Sequence, residues 1–261
     1  MPKEKTFLTK TMFKLAKKLR NFLFPTARIL LYHRVADTQN DPHLLCVSTE
    51  NFRMQIKFLK ENFRVVPLTQ LVQEVSARKV QNQSIAITFD DGYADNLYNA
   101  LPVLEEFKIP ATIFLTAGYV GQNKDFYWDK ETPSESRGRP AIIDEAKSLA
   151  NSRLIELWSH TLNHLKLATL PENEQSRELV ESKKTLEKML AKPFSSFAYP
   201  FGDKKSFSKK TVALVKKTGY HYACANTHER VTNKSDIFAL PRFVVRNWDL
   251  NEFQQKLKEF V

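Results

Sequence analysis

The chain has 261 residues, 42% of them hydrophobic, and a formal charge of +11. That length permits one large α/β domain or two small ones, and the composition argues against global disorder. Its two cysteines, Cys46 and Cys224, cannot build a disulfide framework and fit a reducing compartment.

The charge is unevenly placed. Residues 1–20 hold Lys3, Lys5, Lys10, Lys14, Lys17, Lys18 and Arg20 against Glu4, which leaves the rest of the chain only mildly basic. No zinc finger, RNA-binding sheet signature or recognition-helix pattern accompanies the basic residues, so no nucleic-acid partner is expected. No apolar run reaches membrane-spanning length, and no apolar stretch with a small-residue cleavage site follows the basic start. Leu8, Met12, Leu15, Leu19 and Phe22 recur at helical spacing, which predicts a basic amphipathic helix within residues 1–25. Such a helix either packs on the domain or lies on an anionic membrane surface. The expected location is cytoplasmic, with peripheral contact at the inner membrane face through residues 1–24 as the second possibility.

From residue 26 onward, apolar runs alternate with helical patterns. RILLYHRV reads as a buried strand carrying His33 and Arg34 to its C-terminal end. Ser48 can cap a helix over about 50–62, a strand follows at 64–68, and Thr69 can cap a helix running to about Arg78. SIAITFDDGY is a strand ending in two carboxylates and a glycine, followed by a helix near 94–107. ATIFLTAGYV is a strand, 122–140 a polar loop, 141–151 a helix, LIELWSH a strand and 172–191 a long charged helix. SSFAYPFGD gives a strand and turn, 207–218 a helix, HYACANT and FVVRN further strands, and the tail a helix. Alternation of this kind predicts parallel βαβ units around one sheet or barrel, with chemistry at the C-terminal ends of the strands.

Three motifs fall at those ends. In TFDDG, Asp90 and Asp91 end a strand, and a break at Gly92 can turn both toward one cavity. Two adjacent carboxylates repel, so holding them together calls for a cation or a proton; a solvated turn is the plainer alternative. In SHTLNH, a spacing of four would set His160 and His164 on one side of a helical turn. Imidazole suits zinc and similar ions, and Asp91, His160 and His164 make a three-ligand set that leaves positions open for water and substrate. YPFG, Tyr199–Gly202, is a tight turn whose backbone N–H groups can face a cavity.

Taken together and in this order, TFDDG, SHTLNH and AYPFG resemble the polysaccharide deacetylase family, also called the NodB-homology or carbohydrate esterase 4 family, over about residues 26–248. The resemblance implies a distorted (β/α) barrel, usually of seven strands. It also implies a divalent metal and removal of N-acetyl groups from an N-acetylated glycan. The expected architecture is thus a single α/β catalytic domain over 26–261 behind the N-terminal helix. Transferred by motif, Asp90 is the general base, Asp91, His160 and His164 bind the metal, and the Phe201 N–H belongs to the oxyanion site. Zn2+ is the default ion, with Co2+, Ni2+ or Fe2+ able to use the same ligands.

Two positions depart from the family pattern. Ala198 stands where many members have a base-orienting arginine, and no leucine-flanked histidine follows His228. The early YHRV segment is similar to the branch containing bacterial poly-N-acetylglucosamine deacetylases, where strand order is permuted. That resemblance makes His33 the general acid and points to Arg242, in LPRF, as the missing arginine. Trp128, Trp158 and Trp248 are candidates for stacking on sugar rings, although core packing is the ordinary fate of tryptophan. An inactive glycan-binding module of the same fold, or a deacylase or deformylase of a lipid-linked sugar, are the competing readings.

Overall fold

The structure is a computed structural model that describes residues 25–259 apart from Asn123 and Glu135. The helix expected within residues 1–25 therefore lies, up to residue 24, outside the described residues.

Six strands form a continuous parallel sheet: β1 (Thr26–Tyr32), β5 (Ser84–Phe89), β6 (Ala111–Leu115), β7 (Ile155–Ser159), β8 (Ser196–Ala198) and β9 (Tyr222–Cys224). The short β4 (Arg64–Val65) pairs in parallel with the start of β5, and β10 (Val231–Thr232) pairs antiparallel with the start of β1. The segment 240–245 lies between the two ends of this sheet. At one end Ala225 N–H donates to Leu240 O at 2.8 Å, beside β9. At the other, β11 (Phe243–Val244) pairs in parallel with β1, and Val245 N–H donates to Leu31 O at 2.8 Å. The segment is thus the seventh stave of the distorted barrel. β2 (Arg34–Val35) and β3 (Cys46–Val47) form a separate two-stranded ribbon.

The strands read as nearly unbroken apolar runs because both of their faces are covered. Every residue of β5 and β6 is buried. Alternation along each strand then sorts the side chains. Ile29, Ala86, Phe114, Ala198, Cys224 and Leu240, one from each of six staves, pack in a single inner cluster. Leu30, Tyr32, Ile85, Ile87, Phe89 and Ile113 point the other way, into the layer formed with the surrounding helices. Counting on in twos from Ile29, Ala86 and Leu240, and from Trp158 of β7, which packs on the same cluster, leads to His33, Asp90, His160 and Arg242. The parity of four separate strands thus aims these four residues into one end of the barrel.

Among the described residues seven α-helices flank the sheet: α1 (Thr49–Asn62), α2 (Leu68–Ser76), α3 (Leu101–Phe107), α4 (Ile143–Asn151), α5 (Glu172–Leu190), α6 (Lys209–Lys217) and α7 (Leu250–Glu259). Ser48 caps α1 as expected, its hydroxyl accepting from Asn51 N–H at 3.2 Å. Thr69 does not cap α2. Pro67 occupies that place, and the Thr69 hydroxyl is committed to the Glu156 carboxylate on β7. The helix expected from residue 94 begins as a π-helical turn, Asn96–Ala100, before α3. The 122–140 segment is a loop, as its composition suggests, with one 3-10 turn at Tyr127–Asp129.

Candidate metal centre and active site

Asp90 and Asp91 follow β5 directly. Asp90 continues the inward parity of the strand, and its N–H donates to Tyr32 O at 3.0 Å. By alternation Asp91 would face outward. Instead its φ of 74° places it in the left-handed region, as does the φ of 83° at Gly92. Two successive left-handed residues reverse the chain, so the second carboxylate joins the first. Aspartate is among the few side chains that tolerate this conformation. At Gly92 a Cβ would fall 2.7 Å from Leu115 Cδ2, so the position also requires the absence of a side chain.

The histidine pair does not lie on a helical turn, contrary to its spacing. Thr161 and His164 have φ values of 66° and 57°, and residues 160–164 form an irregular loop. The buried Glu178 carboxylate of α5 organises this loop. It accepts from Leu162 N–H at 3.1 Å, Asn163 N–H at 2.8 Å and Asn163 Nδ2 at 2.7 Å. A loop with three external donors satisfied by one carboxylate does not need helical hydrogen bonds to hold its shape.

The result is a compact donor set. His160 Nε2 and His164 Nε2 lie 3.6 and 3.5 Å from Asp91 Oδ1, and the three donor atoms are within 4.8 Å of one another. Those separations are long for hydrogen bonds, but they suit donors sharing an ion with bonds of about 2.0–2.1 Å. Asp91 Oδ1 is buried with no hydrogen-bond partner, an arrangement that is costly unless a cation occupies its front. Burial, and then the neighbouring Asp90 charge, push the Asp91 carboxyl well above the ordinary range. His160 Nδ1 lies 2.8 Å from Ala198 O, which makes Nδ1 the protonated nitrogen and leaves the Nε2 lone pair facing Asp91. Two imidazoles and one carboxylate fit zinc or another borderline divalent ion.

Asp90 has the opposite environment. Arg242 is fully buried, and its Nη1 and Nη2 donate to the two Asp90 carboxylate oxygens, each at 2.7 Å. Its Nε donates to Ala225 O at 3.0 Å, which fixes the plane of the fork. Burial alone would raise the Asp90 carboxyl, but the Arg242 charge and hydrogen bonds, with His160, outweigh it and hold Asp90 down at about 2. Two neighbouring carboxylates are thereby driven apart, one kept ionised by its own arginine and the other left to require a cation. Arg242 reaches Asp90 from the 240–245 stave, which is separated from the Ala198 strand by β9 alone.

Asp90, Asp91, His160 and His164 line an open cleft of about 660 Å3 at the C-terminal ends of the strands, with Arg242 buried behind it. His33, past the end of β1, lies in it, and burial pushes its imidazole down to about 4. Phe201 is also there, half-exposed, with a left-handed φ of 62° on the turn after β8 and its ring 5.0 Å from that of His164. The cleft further includes His43, Tyr127, Trp128, Asp203, His228 and Arg246; none of them lies in the motifs, and Trp128 alone is a candidate from its aromatic side chain. Glu178 likewise carries no sequence signal, being one acid among several on a charged helix. Trp158 and Trp248 do not reach the cleft. Trp158 packs near Phe194 and Tyr222 beside a separate hollow of about 260 Å3, and Trp248 packs against the helix-side core. Arg34, to which the resemblance gives no role, pairs with Asp95 at 2.9 Å and donates to Ser136 O at 3.0 Å. It ties the 122–140 loop to the barrel.

A seven-stave α/β barrel with a two-histidine, one-aspartate donor set and a separate arginine-bound aspartate defines a class of hydrolytic site. The chain belongs to the polysaccharide deacetylase family, hydrolases of non-peptide carbon–nitrogen bonds, whose family model matches residues 77–223. His33 and Arg242 fall outside that span. The chain is 26% identical over 216 residues to the Bacillus subtilis protein YxkH, whose name assigns it to this family, covering 82% of this chain and 69% of that one. It is 28% identical over 208 residues to a Staphylococcus aureus poly-β-1,6-N-acetyl-D-glucosamine N-deacetylase, covering 76% and 67%. Among solved structures, BA0330 of Bacillus anthracis, titled a polysaccharide deacetylase, superposes with a TM-score of 0.71 at 26% identity, covering 89% of this chain and 69% of that one. IcaB of Ammonifex degensii shares the fold with a TM-score of 0.73 at 21% identity, covering 90% and 97%.

Proposed function

We propose that this protein is a metal-dependent deacetylase that removes N-acetyl groups from amino sugars of a poly- or oligosaccharide. The observation that carries the reading is the division of labour between Asp90 and Asp91. A site that only bound a metal would have no use for a second carboxylate held ionised by a dedicated arginine. The name of the Staphylococcus aureus relative supports an N-acetylglucosamine polymer as the glycan.

Asp91, His160 and His164 would hold the ion, with zinc as the default. An aspartate held near pKa 2 is too weak a base for ordinary water. A divalent ion supplies the acidity that the attacking water needs and polarises the amide carbonyl. Asp90 takes the proton, its two oxygens fixed by Arg242 so that a lone pair faces the water. The Phe201 N–H donates to the oxygen on which negative charge develops. His33 is neutral at rest, so the proton that it gives to the departing amine is acquired during the cycle, from the pair formed by Asp90 and water. Its low pKa makes the protonated form a strong donor. The products are a free amine on the sugar and acetate.

The test measures zinc content and acetate release from N-acetylglucosamine oligomers for wild type and His160→Ala. Zinc and acetate release in wild type, both lost in the variant, are expected. Zinc uptake without acetate release from any N-acetylated oligosaccharide would overturn the reaction. We further propose a cytoplasmic location; the alternative to residues 1–24 packing on the domain is that they lie at the inner membrane face. In that case deleting them should abolish membrane co-sedimentation, and unchanged partitioning would rule that placement out.

A further inference from the structure

The two imidazoles of the donor set are held in different ways. The His160 ring is fixed by a hydrogen bond from Nδ1 to the Ala198 carbonyl, the usual means of orienting a ligating histidine. His164 Nδ1 is buried and has no hydrogen-bond partner. Its ring is confined by aromatic neighbours instead. The Trp128 ring centroid lies 4.4 Å away, that of Phe201 5.0 Å away and that of His160 5.0 Å away.

Of the two neighbours that are not themselves in the donor set, Trp128 is the one held in place. Its Nε1 donates to Tyr93 Oη at 2.8 Å, and Tyr93 Oη donates to the Asp129 carboxylate at 2.9 Å. Its ring stacks on the buried Phe126 at 4.6 Å and an interplanar angle of 13°. Tyr93 is fully buried one residue past Gly92, so the indole is anchored to the same turn that delivers Asp91. Phe201, by contrast, is half-exposed at the cleft and gives less firm support.

We propose that Trp128 is a positioning residue for the metal centre, and that its indole takes the place of the missing hydrogen bond in orienting His164. This rests on Asp91, His160 and His164 being the metal ligands. Without the indole wall the imidazole is free to rotate about its side-chain torsions, and binding an ion must then stop that rotation. Loss of a partner that orients a ligand typically lowers metal affinity by about 10–100-fold.

The experiment titrates zinc into the chelator-treated full chain against a competing chromophoric chelator, for wild type, Trp128→Ala, Trp128→Phe and Tyr93→Phe. Trp128→Ala is expected to bind zinc about 10–100-fold more weakly, and Trp128→Phe, which keeps an aromatic wall, to recover most of that loss. Tyr93→Phe removes the indole's acceptor and should fall between wild type and Trp128→Ala. A merely structural role would lower the melting temperature of the chelator-treated protein without moving the zinc constant of the molecules that remain folded. A Trp128→Ala constant within twofold of wild type overturns the proposal while leaving the metal site intact. If Trp128→Ala does not fold, Tyr93→Phe decides, and an unchanged zinc constant there overturns the proposal. A wild type that takes up no zinc overturns both the proposal and the ligand assignment beneath it.

Discussion

Arg242→Met removes a fully buried cation while roughly keeping its volume, and the consequence can be worked from its partners. Asp90 is 3% exposed and accepts both of its short charge-assisted hydrogen bonds from this one guanidinium. Ala225 O loses a donor as well. Breaking a buried pair by removing one member costs about 3–5 kcal/mol, because the other charge remains buried without compensation. In a chain of this size that is a fall in melting temperature on the order of 10 °C. The measurement is urea unfolding in the presence of chelator, so that bound metal does not mask the effect, for Arg242→Met, Asp90→Asn and the double variant. With the carboxylate already neutral, the arginine has less to neutralise. The double variant should therefore be more stable than the sum of the single losses predicts, by about 2 kcal/mol or more. Additivity within about 0.5 kcal/mol would refute the idea that the two charges stabilise each other.

Asp90→Asn should keep its zinc stoichiometry while turnover falls by about 10²–10⁴, since an amide cannot take the proton; acetate release and metal analysis on the same sample check this. His33 has a folded pKa of about 4 against 6.5 for the free side chain, so the unfolded chain binds its proton first as pH falls. The stability due to neutral His33 is therefore complete above about 6.5 and is lost as pH drops toward 4, an interval corresponding to about 3 kcal/mol. His33→Gln should flatten the decline in unfolding free energy between pH 7 and 4.5 in chelator, and parallel curves for the two proteins would contradict it. Gly92→Ala should destabilise by at least about 1–2 kcal/mol from the left-handed backbone alone, with more from the contact at Leu115, and urea unfolding reads the loss directly.

Much of the site is legible in the sequence because strand parity is local. Once SIAITF is read as a strand, Asp90 follows as an inward residue at its end, and the same holds for His33 after RILLY. Chain reversals are harder to read. The four-residue spacing of His160 and His164 suggests a helix, but the loop is shaped by Glu178, whose role depends on a contact between α5 and residues 162–163. The partner of Asp90 illustrates both cases. Arg242 could be proposed from its place in LPRF, but only the closure of the barrel by 240–245 brings it within 2.7 Å of a residue 152 positions earlier. Trp158 takes the ordinary fate of a tryptophan, core packing, rather than a place at the sugar site. It stands two residues before His160 on the same strand and so shares its inward parity, but one pleat deeper, below the cleft.

The seventh stave also sets the order of events in synthesis. The Asp90–Asp91 turn emerges from the ribosome about 150 residues before the guanidinium that neutralises half of it. Until residues 240–245 are in place, the Asp90 carboxylate lacks the guanidinium from which it accepts both of its short hydrogen bonds. A buried carboxylate without a partner is costly, and the last stave removes that cost as it completes the ring. In this protein the segment that completes the ring of staves is also the one that holds Asp90 ionised.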